Sequence, residues 1–260
     1  MKHGFIDQYS SLNSFIHRLD PRVKLITTLA FVIAVVTTPP TAWWAFALYL
    51  VIVFGFILWS KLPIGFVLKR SLVIVPFVVM IAIFIPFFKQ GEVAGSYNIW
   101  QWQVSITYGG LLILWNVVIK AWLSVLSMIL LTATTPLPNL LKGMEQLRLP
   151  KIMVMILSFM YRYIFVLIDE VLRMKRARDS RNFGGRRMWQ IKTMGNMIGT
   201  LFVRSYERGE RVYQAMLSRG FDGQIRTLHS LQLKKADLYF GGIFLVSLTL
   251  FSIWVHFPIF

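Results

Sequence analysis

The sequence predicts an all-helical, polytopic membrane protein with a cytoplasmic pair of long helices. Three observations carry this. The 260 residues are 56% hydrophobic yet bear a formal charge of +17, a pairing that a soluble domain of this size rarely shows. The apolar residues fall into separate runs close to the length of a spanning helix, about 20 residues. Most of the lysines and arginines gather between those runs, on alternate connections.

Five runs are read as spans. Val23 to Thr37 is short and ends at Pro39-Pro40. Trp43 to Trp59 follows. Ser71 to Phe88 contains Pro76 and Pro86, where kinks are expected because proline removes a backbone donor and clashes with the preceding turn. Tyr108 to Ala133 and Leu238 to Phe257 complete the set. Trp43, Trp44, Trp59, Tyr239 and Trp254 lie near the ends, as interfacial aromatics do. The first run follows a polar segment with Pro21 and several charges, without a small-residue cleavage site, so it reads as an anchor and not as a removed signal peptide.

Charge gives the expected orientation. Lys2, Arg18, Arg22 and Lys24 precede or open the first span, and Lys61, Lys69 and Arg70 fill the loop after the second. Most other cations lie between Thr135 and Asp237, whereas Thr38 to Thr41 is uncharged and Lys89 to Ser105 carries one lysine and one glutamate. Alternation over five spans then puts every basic segment, and the amino terminus, in the cytoplasm of a cell-membrane protein. The organisation expected is a membrane region of four spans over residues 1–134, a cytoplasmic region of long helices over 135–236, and a last transmembrane helix over 237–260. Ile152 to Ile168 is also apolar, but it holds Arg162 at its middle, which is costly at a bilayer centre. Were it a span, the basic stretch beyond it would fall outside, so it is read as lying in or just below the membrane.

The basic region reads as helical. Leu140 to Leu147 is a short helix between Pro138 and Pro150, and a long helix follows from about Lys151 to Arg181, stopping near Asn182-Phe183-Gly184-Gly185. A second runs from about Arg187 to Ser218, with Met194, Met197, Ile198, Leu201 and Phe202 at helical spacing. Gly220 suits a left-handed cap. Met153, Met155, Met160, Met174, Met188, Met194, Met197 and Met216 serve either as core or as a soft surface that can repack against a changing partner.

Each long helix ends on a short arginine motif, Ala177-Arg178-Asp179 and Ser218-Arg219-Gly220. For most cations here the bland role of a cap or an inside charge suffices. For these two, the small neighbours Ala177, Ser218 and Gly220 leave the planar guanidinium open to enter a groove and bind carboxylates bidentately. Arg176-Ala177-Arg178 with Arg181, and Gln214 to Phe221, resemble the paired arginine motifs of the EcfT family, the transmembrane T components of energy-coupling factor transporters. His17-Arg18-Leu19-Asp20-Pro21-Arg22-Val23-Lys24-Leu25 resembles that family's start, and Ile6 to Ser14 before it is similar to CbiQ, the T component of cobalt uptake systems. One departure is Asp179, where several relatives have glycine; it is expected to pair with Arg181.

The resemblance implies a coupling subunit and not an enzyme. Two ATP-binding-cassette ATPases would receive Arg178 and Arg219 in their grooves, and the long helices would pass their motion to a separate, CbiM-like substrate-binding S component, for cobalt uptake. ATP would be bound by those partners, since no Gly-x-x-x-x-Gly-Lys-[Ser/Thr] loop is present here. A T component shared by several vitamin-specific binding subunits is the first alternative. A membrane-embedded lipid-phosphate enzyme is the second, and it would need acidic metal ligands or a nucleophile near the arginines. The chain has no cysteine, and His3, His17, His229 and His256 show no metal-site spacing, so no catalytic, cofactor or metal residue is expected. Lys120, alone in the fourth span, is expected to snorkel or make an interhelical bond. Asp169-Glu170 is expected to form ion pairs with Arg173 or Arg162, and the basic surface to meet lipid and not nucleic acid.

Overall fold

A computed structural model of the chain describes residues 9, 12, 14–88, 93–99, 102–181, 187–223 and 233–256. His3, His229, Trp100, Asn182 to Gly185 and the segment Ile6 to Gln8 lie outside these residues. The helices are α1 (Phe15–Arg18), α2 (Pro21–Thr37), α3 (Trp43–Trp59), α4 (Ile64–Leu72), α5 (Val75–Ala82), α6 (Ile85–Phe88), α7 (Tyr108–Thr134), α8 (Leu137–Gln146), α9 (Lys151–Asp179), α10 (Arg187–Leu217) and α11 (Lys235–His256). Between α6 and α7 stand β1 (Val93–Ile99) and β2 (Trp102–Thr107), an antiparallel pair with Ile99 opposite Trp102. By contacts the chain divides into two compact units: Gly4–Gly143 with Leu231–Phe260, and a second built on Met144–Ser230. The protein is thus an all-helical, multi-pass membrane protein with one small hairpin in a connection.

Four helical segments among the described residues are long and apolar enough to cross a membrane: Ile64–Ala82, Tyr108–Thr134, Lys151–Asp179 and Lys235–His256. Trp43–Trp59 is equally apolar at 17 residues, and α2 has the same length. The third span differs from the sequence reading at its start. It opens at Ile64, so Lys69 and Arg70 sit in the last turn of α4 and only Lys61 stands in the preceding turn. Cations favour a helix C-terminus and can carry their charge outward on a long stem, so neither had to lie in a loop. The breaks inside this span fall where the prolines demand them. α5 and α6 each restart with proline at their second position, Pro76 and Pro86, after short turns. The strand pair begins in the connection read only as a loop, Lys89 to Ser105, and its second strand runs on to Thr107.

In the first unit α7 is central, packing against α2, α3, α4, α5 and α6, while α11 packs on α2. Leu123 and Leu126 of α7 are wholly buried, with Val35, Tyr49 and Ile57 beside them in one cluster. Tyr49 joins three helices: its hydroxyl lies 3.3 Å from Thr38 Oγ1, and its ring stands edge-on to Phe31 and Phe251. Lys120 donates to the Val36 carbonyl of α2 at 2.8 Å, the interhelical bond expected of it. Two glycines allow close approach. A Cβ on Gly110 would meet Pro86 Cα at 2.5 Å, and one on Gly241 would meet Val23 Cγ1 at 2.8 Å. Asp20 caps α2 through Arg22 N (2.9 Å), with Pro21 at the first helical position.

The second unit is dominated by α9 and α10, of 29 and 31 residues. Among its described residues only Val154 is buried. The half-covered positions of α10 (Thr193, Met197, Leu201, Ser205, Arg208, Val212, Met216) recur every three or four residues and mark one face. Met153, Met160, Met188 and Met194 are exposed, as are Ile198, Phe202 and Tyr206, so in the chain by itself these residues are surface and not core. Arg162 is exposed as well.

Candidate functional site

The candidate site is built from the C-terminal ends of α9 and α10. Ala177, Arg178 and Asp179 are the last three residues of α9. The helix then closes with a tight turn, Ser180 N bonding Arg176 O at 2.9 Å and Arg181 N bonding Arg178 O at 3.1 Å. Arg178 does not stand free. Its Nε and Nη2 both donate to Asp179 Oδ1, at 2.9 and 2.7 Å. The sequence reading paired Asp179 with Arg181; the adjacent guanidinium takes it, because Arg178 reaches the carboxylate with two donors at once. The Arg178 side chain is 19% exposed, against 50% for Asp179.

The second end has a different construction. Phe221 N bonds Met216 O at 3.1 Å, and Gly220 N bonds Leu217 O at 3.0 Å. This six-to-one and five-to-two pair is a Schellman cap, which places Arg219 at the cap position and Gly220 at the following left-handed residue. Gly220 has φ +76°, and a Cβ there would meet nothing within 4 Å. The glycine is therefore required by backbone conformation and not by clearance around the arginine. Ser218 Oγ turns back to Gln214 O at 2.9 Å, away from the guanidinium. Among the described residues no acid pairs with Arg219, which is exposed at the carbonyl end of the helix dipole. The two tips are thus alike in position and unlike in charge: one is half-neutralised by its neighbour, the other is bare.

Glu170 ties the two helices together. It accepts Arg173 on its own helix at 2.8 Å and Arg204 of α10 at 2.5 Å. At the α-helical rise, Arg178 lies about 12 Å along α9 from this tie, and Arg219 about 22 Å along α10. Two long levers with a common brace therefore end on arginines. Arg219 presents planar donors suited to carboxylates, whereas Arg178 turns two of its donors to Asp179. Among the described residues no group of three or more His, Asp or Glu side chains could hold a metal ion.

One residue was underread in the sequence. Lys24 counts there as one more inside charge, yet it is 6% exposed in the first unit. Its Nζ donates to Thr135 Oγ1 (2.9 Å), Thr134 O (3.2 Å) and His17 O (3.3 Å). Asp20 and Asp237, also buried, are the carboxylates whose charges act on it. The Asp-Pro-x-x-Lys spacing was a usable signal: with Asp20 at the cap, Lys24 falls one turn into α2 on the same side.

Residues 12–230 match the family model for CbiQ, described as a cobalt transport protein. The chain is 28% identical to the energy-coupling factor transporter transmembrane protein EcfT of Ruminiclostridium cellulolyticum, covering 94% of each chain. It is 30% identical to the EcfT protein of Acidaminococcus fermentans over 95% of this chain and 93% of that one. An uncharacterised protein of Methanocaldococcus jannaschii is 28% identical over 91% of this chain and 81% of its own. With most of its length matched, the fold all-helical and the paired arginine ends in place, the chain belongs to the EcfT/CbiQ family, the transmembrane components of energy-coupling factor transporters.

Proposed function

We propose that this protein couples ATP hydrolysis by two ATP-binding-cassette subunits to a separate substrate-binding membrane subunit, and that the cargo is cobalt. Ala177-Arg178-Asp179 and Ser218-Arg219-Gly220 are the grips: each arginine enters a groove on one ATPase, and closure of the ATPases moves α9 and α10 as levers. The observation that carries this reading is the pair of arginine tips closing two long helices that bury almost nothing of their own. Such helices have apolar surface left for partners, including Phe202 and Tyr206 on α10. The cobalt cargo rests on the matched family's description, and a CbiM-like partner on the resemblance of the amino-terminal motif to CbiQ. In this reading α9 and α10 lie on the cytoplasmic side with the amino terminus, and α9 runs in or under the membrane face because of Arg162. ATP is bound by the ATPases alone.

The test is Arg178→Glu with Arg219→Glu in the complete transporter. Membrane insertion is expected to be normal, while co-purification of the ATPases and uptake of Co(II) are lost. Normal uptake by the inserted double variant would overturn the grip assignment. A second reading, a T component shared among several binding subunits, is favoured by relatives whose names carry the general transporter title and no metal. Affinity capture separates the two: a dedicated chain brings down one binding subunit, a shared chain several.

A further inference from the structure

We propose that Lys24 is a positioning residue that clamps both ends of the coupling segment to the membrane unit, so that movement of the segment is delivered to the spans. This deepens the coupling reading and rests on it. The chain leaves the first unit after Gly143 and returns at Leu231. Just before the departure stand Thr134 and Thr135, at the end of α7; just after the return stands Asp237, in the first turn of α11. Lys24, one turn into α2, is bonded to the first pair and lines one cavity with Thr135, Lys234 and Asp237. A third bond, to His17 O, fixes the segment that precedes α2.

The chemistry of the joint makes it stiff. An ammonium has three donors, and here three acceptors meet them at 2.9 to 3.3 Å, from two places in the chain, His17 and the adjacent Thr134 and Thr135. Asp20 and Asp237, 5% and 6% exposed, line the same cavity and supply opposite charge. A buried ammonium so matched is costly to unpair, because each lost bond strands a polar group away from water. Neighbouring contacts hold the same place: a Cβ on Gly143 would meet Pro21 Cβ at 3.3 Å, and Gly241 lies against Val23. Sliding the end of α7 away from α2, on which α11 packs, therefore breaks charge-assisted bonds. A shift applied through the coupling segment moves the spans instead of dissipating in the two connections.

The experiment uses the complete transporter in liposomes and reads Co(II) taken up per ATP hydrolysed. Lys24→Met is expected to leave hydrolysis within about twofold and to lower the uptake-to-hydrolysis ratio about tenfold, the scale of one lost charge-assisted bond. Thr135→Val removes a single acceptor with little change of shape and is expected to lower the ratio by about threefold. It also carries the test if Lys24→Met fails to insert. A clamp that only stabilises the fold would lower the melting temperature and leave the ratio alone, and that result for both variants overturns the proposal. The coupling reading fails separately: there the arginine-tip double variant would keep both hydrolysis and uptake.

Discussion

The two units of this chain use apolar residues in opposite ways. In the unit of Gly4–Gly143 with Leu231–Phe260, α7 is wrapped by five helices and buries Leu123 and Leu126 completely. In the unit of Met144–Ser230, two helices of 29 and 31 residues leave Ile191, Met194, Ile198, Phe202 and Tyr206 uncovered. A bundle with its own core fixes its own conformation, because each lateral shift opens a void. The two long helices share the Glu170 brace and, among their described residues, bury only Val154. The first construction suits a frame in the bilayer and the second a pair of levers.

Truncation within each unit gives the sharpest contrast. Leu126→Ala is expected to destabilise the chain by about 2–5 kcal/mol, the range for emptying a core leucine site. Phe202→Ala, at a position 71% exposed, is expected to change stability by less than about 0.5 kcal/mol, although it removes the larger side chain. Thermal unfolding of the purified chain in detergent reads both. A comparable fall for Phe202→Ala would mean that the second unit has a core of its own, and the contrast would be lost.

Glycines test the same contrast with opposite signs. Gly110→Ala puts a Cβ 2.5 Å from the Pro86 backbone, so α6 and α7 must separate, at an overpacking cost of about 1–3 kcal/mol. Gly199 of α10 has open space around its Cβ position and an ordinary helical backbone. Gly199→Ala is therefore expected to stabilise by about 0.5–1 kcal/mol through helix propensity alone. If transport by the complete complex falls in that more stable variant, the open space at Gly199 belongs to a partner's approach, and the lever description gains a contact point.

The helices were legible where period and punctuation agreed. Pro150 before the apolar run and the left-handed Gly220 after Ser218-Arg219 bounded α9 and α10 to within one or two residues. The prolines at 76 and 86 placed the breaks of the third span, but its start was set too late, because Lys69 and Arg70 were assigned to a loop when a helix end serves them as well. The strands between α6 and α7 lie in a stretch rich in aromatic and β-branched residues that hydropathy alone passes over. At the arginine ends the sequence indicated position but not pairing. Whether Asp179 meets Arg181 or Arg178 depends on rotamers at a helix end, and composition does not contain them. For Lys24 the Asp-Pro-x-x-Lys spacing indicates a position one turn into α2 but not its partners: two of its three acceptors lie about 110 residues away in Thr134 and Thr135, and the packing of α2 on α7 brings them together.

The smallest expected effect lies at the entrance to the membrane unit and sets its polar packing against the solvated levers. His17 is half-buried between Ser14 and Tyr9: Ser14 Oγ lies 2.7 Å from Nδ1, and Nε2 lies 3.1 Å from the Tyr9 carbonyl. A carbonyl only accepts, so Nε2 carries the hydrogen, and in the neutral ring Nδ1 accepts from the serine hydroxyl. Burial holds the imidazole below its usual 6.5, the Tyr9 bond partly opposes this, and the nearby Lys24 charge adds to it. A base whose pKa is depressed on folding favours the neutral form in the native state. Its contribution is present above pH 6.5, begins to be lost as the unfolded chain protonates there, and is gone once the pH has fallen through the lower native value. The melting temperature is therefore expected to fall on acidification across this window, and the fall to shrink in His17→Gln, which keeps hydrogen-bonding capacity and does not titrate. An unchanged acid dependence in that variant would move the titrating group elsewhere and leave the entrance no more pH-sensitive than the levers.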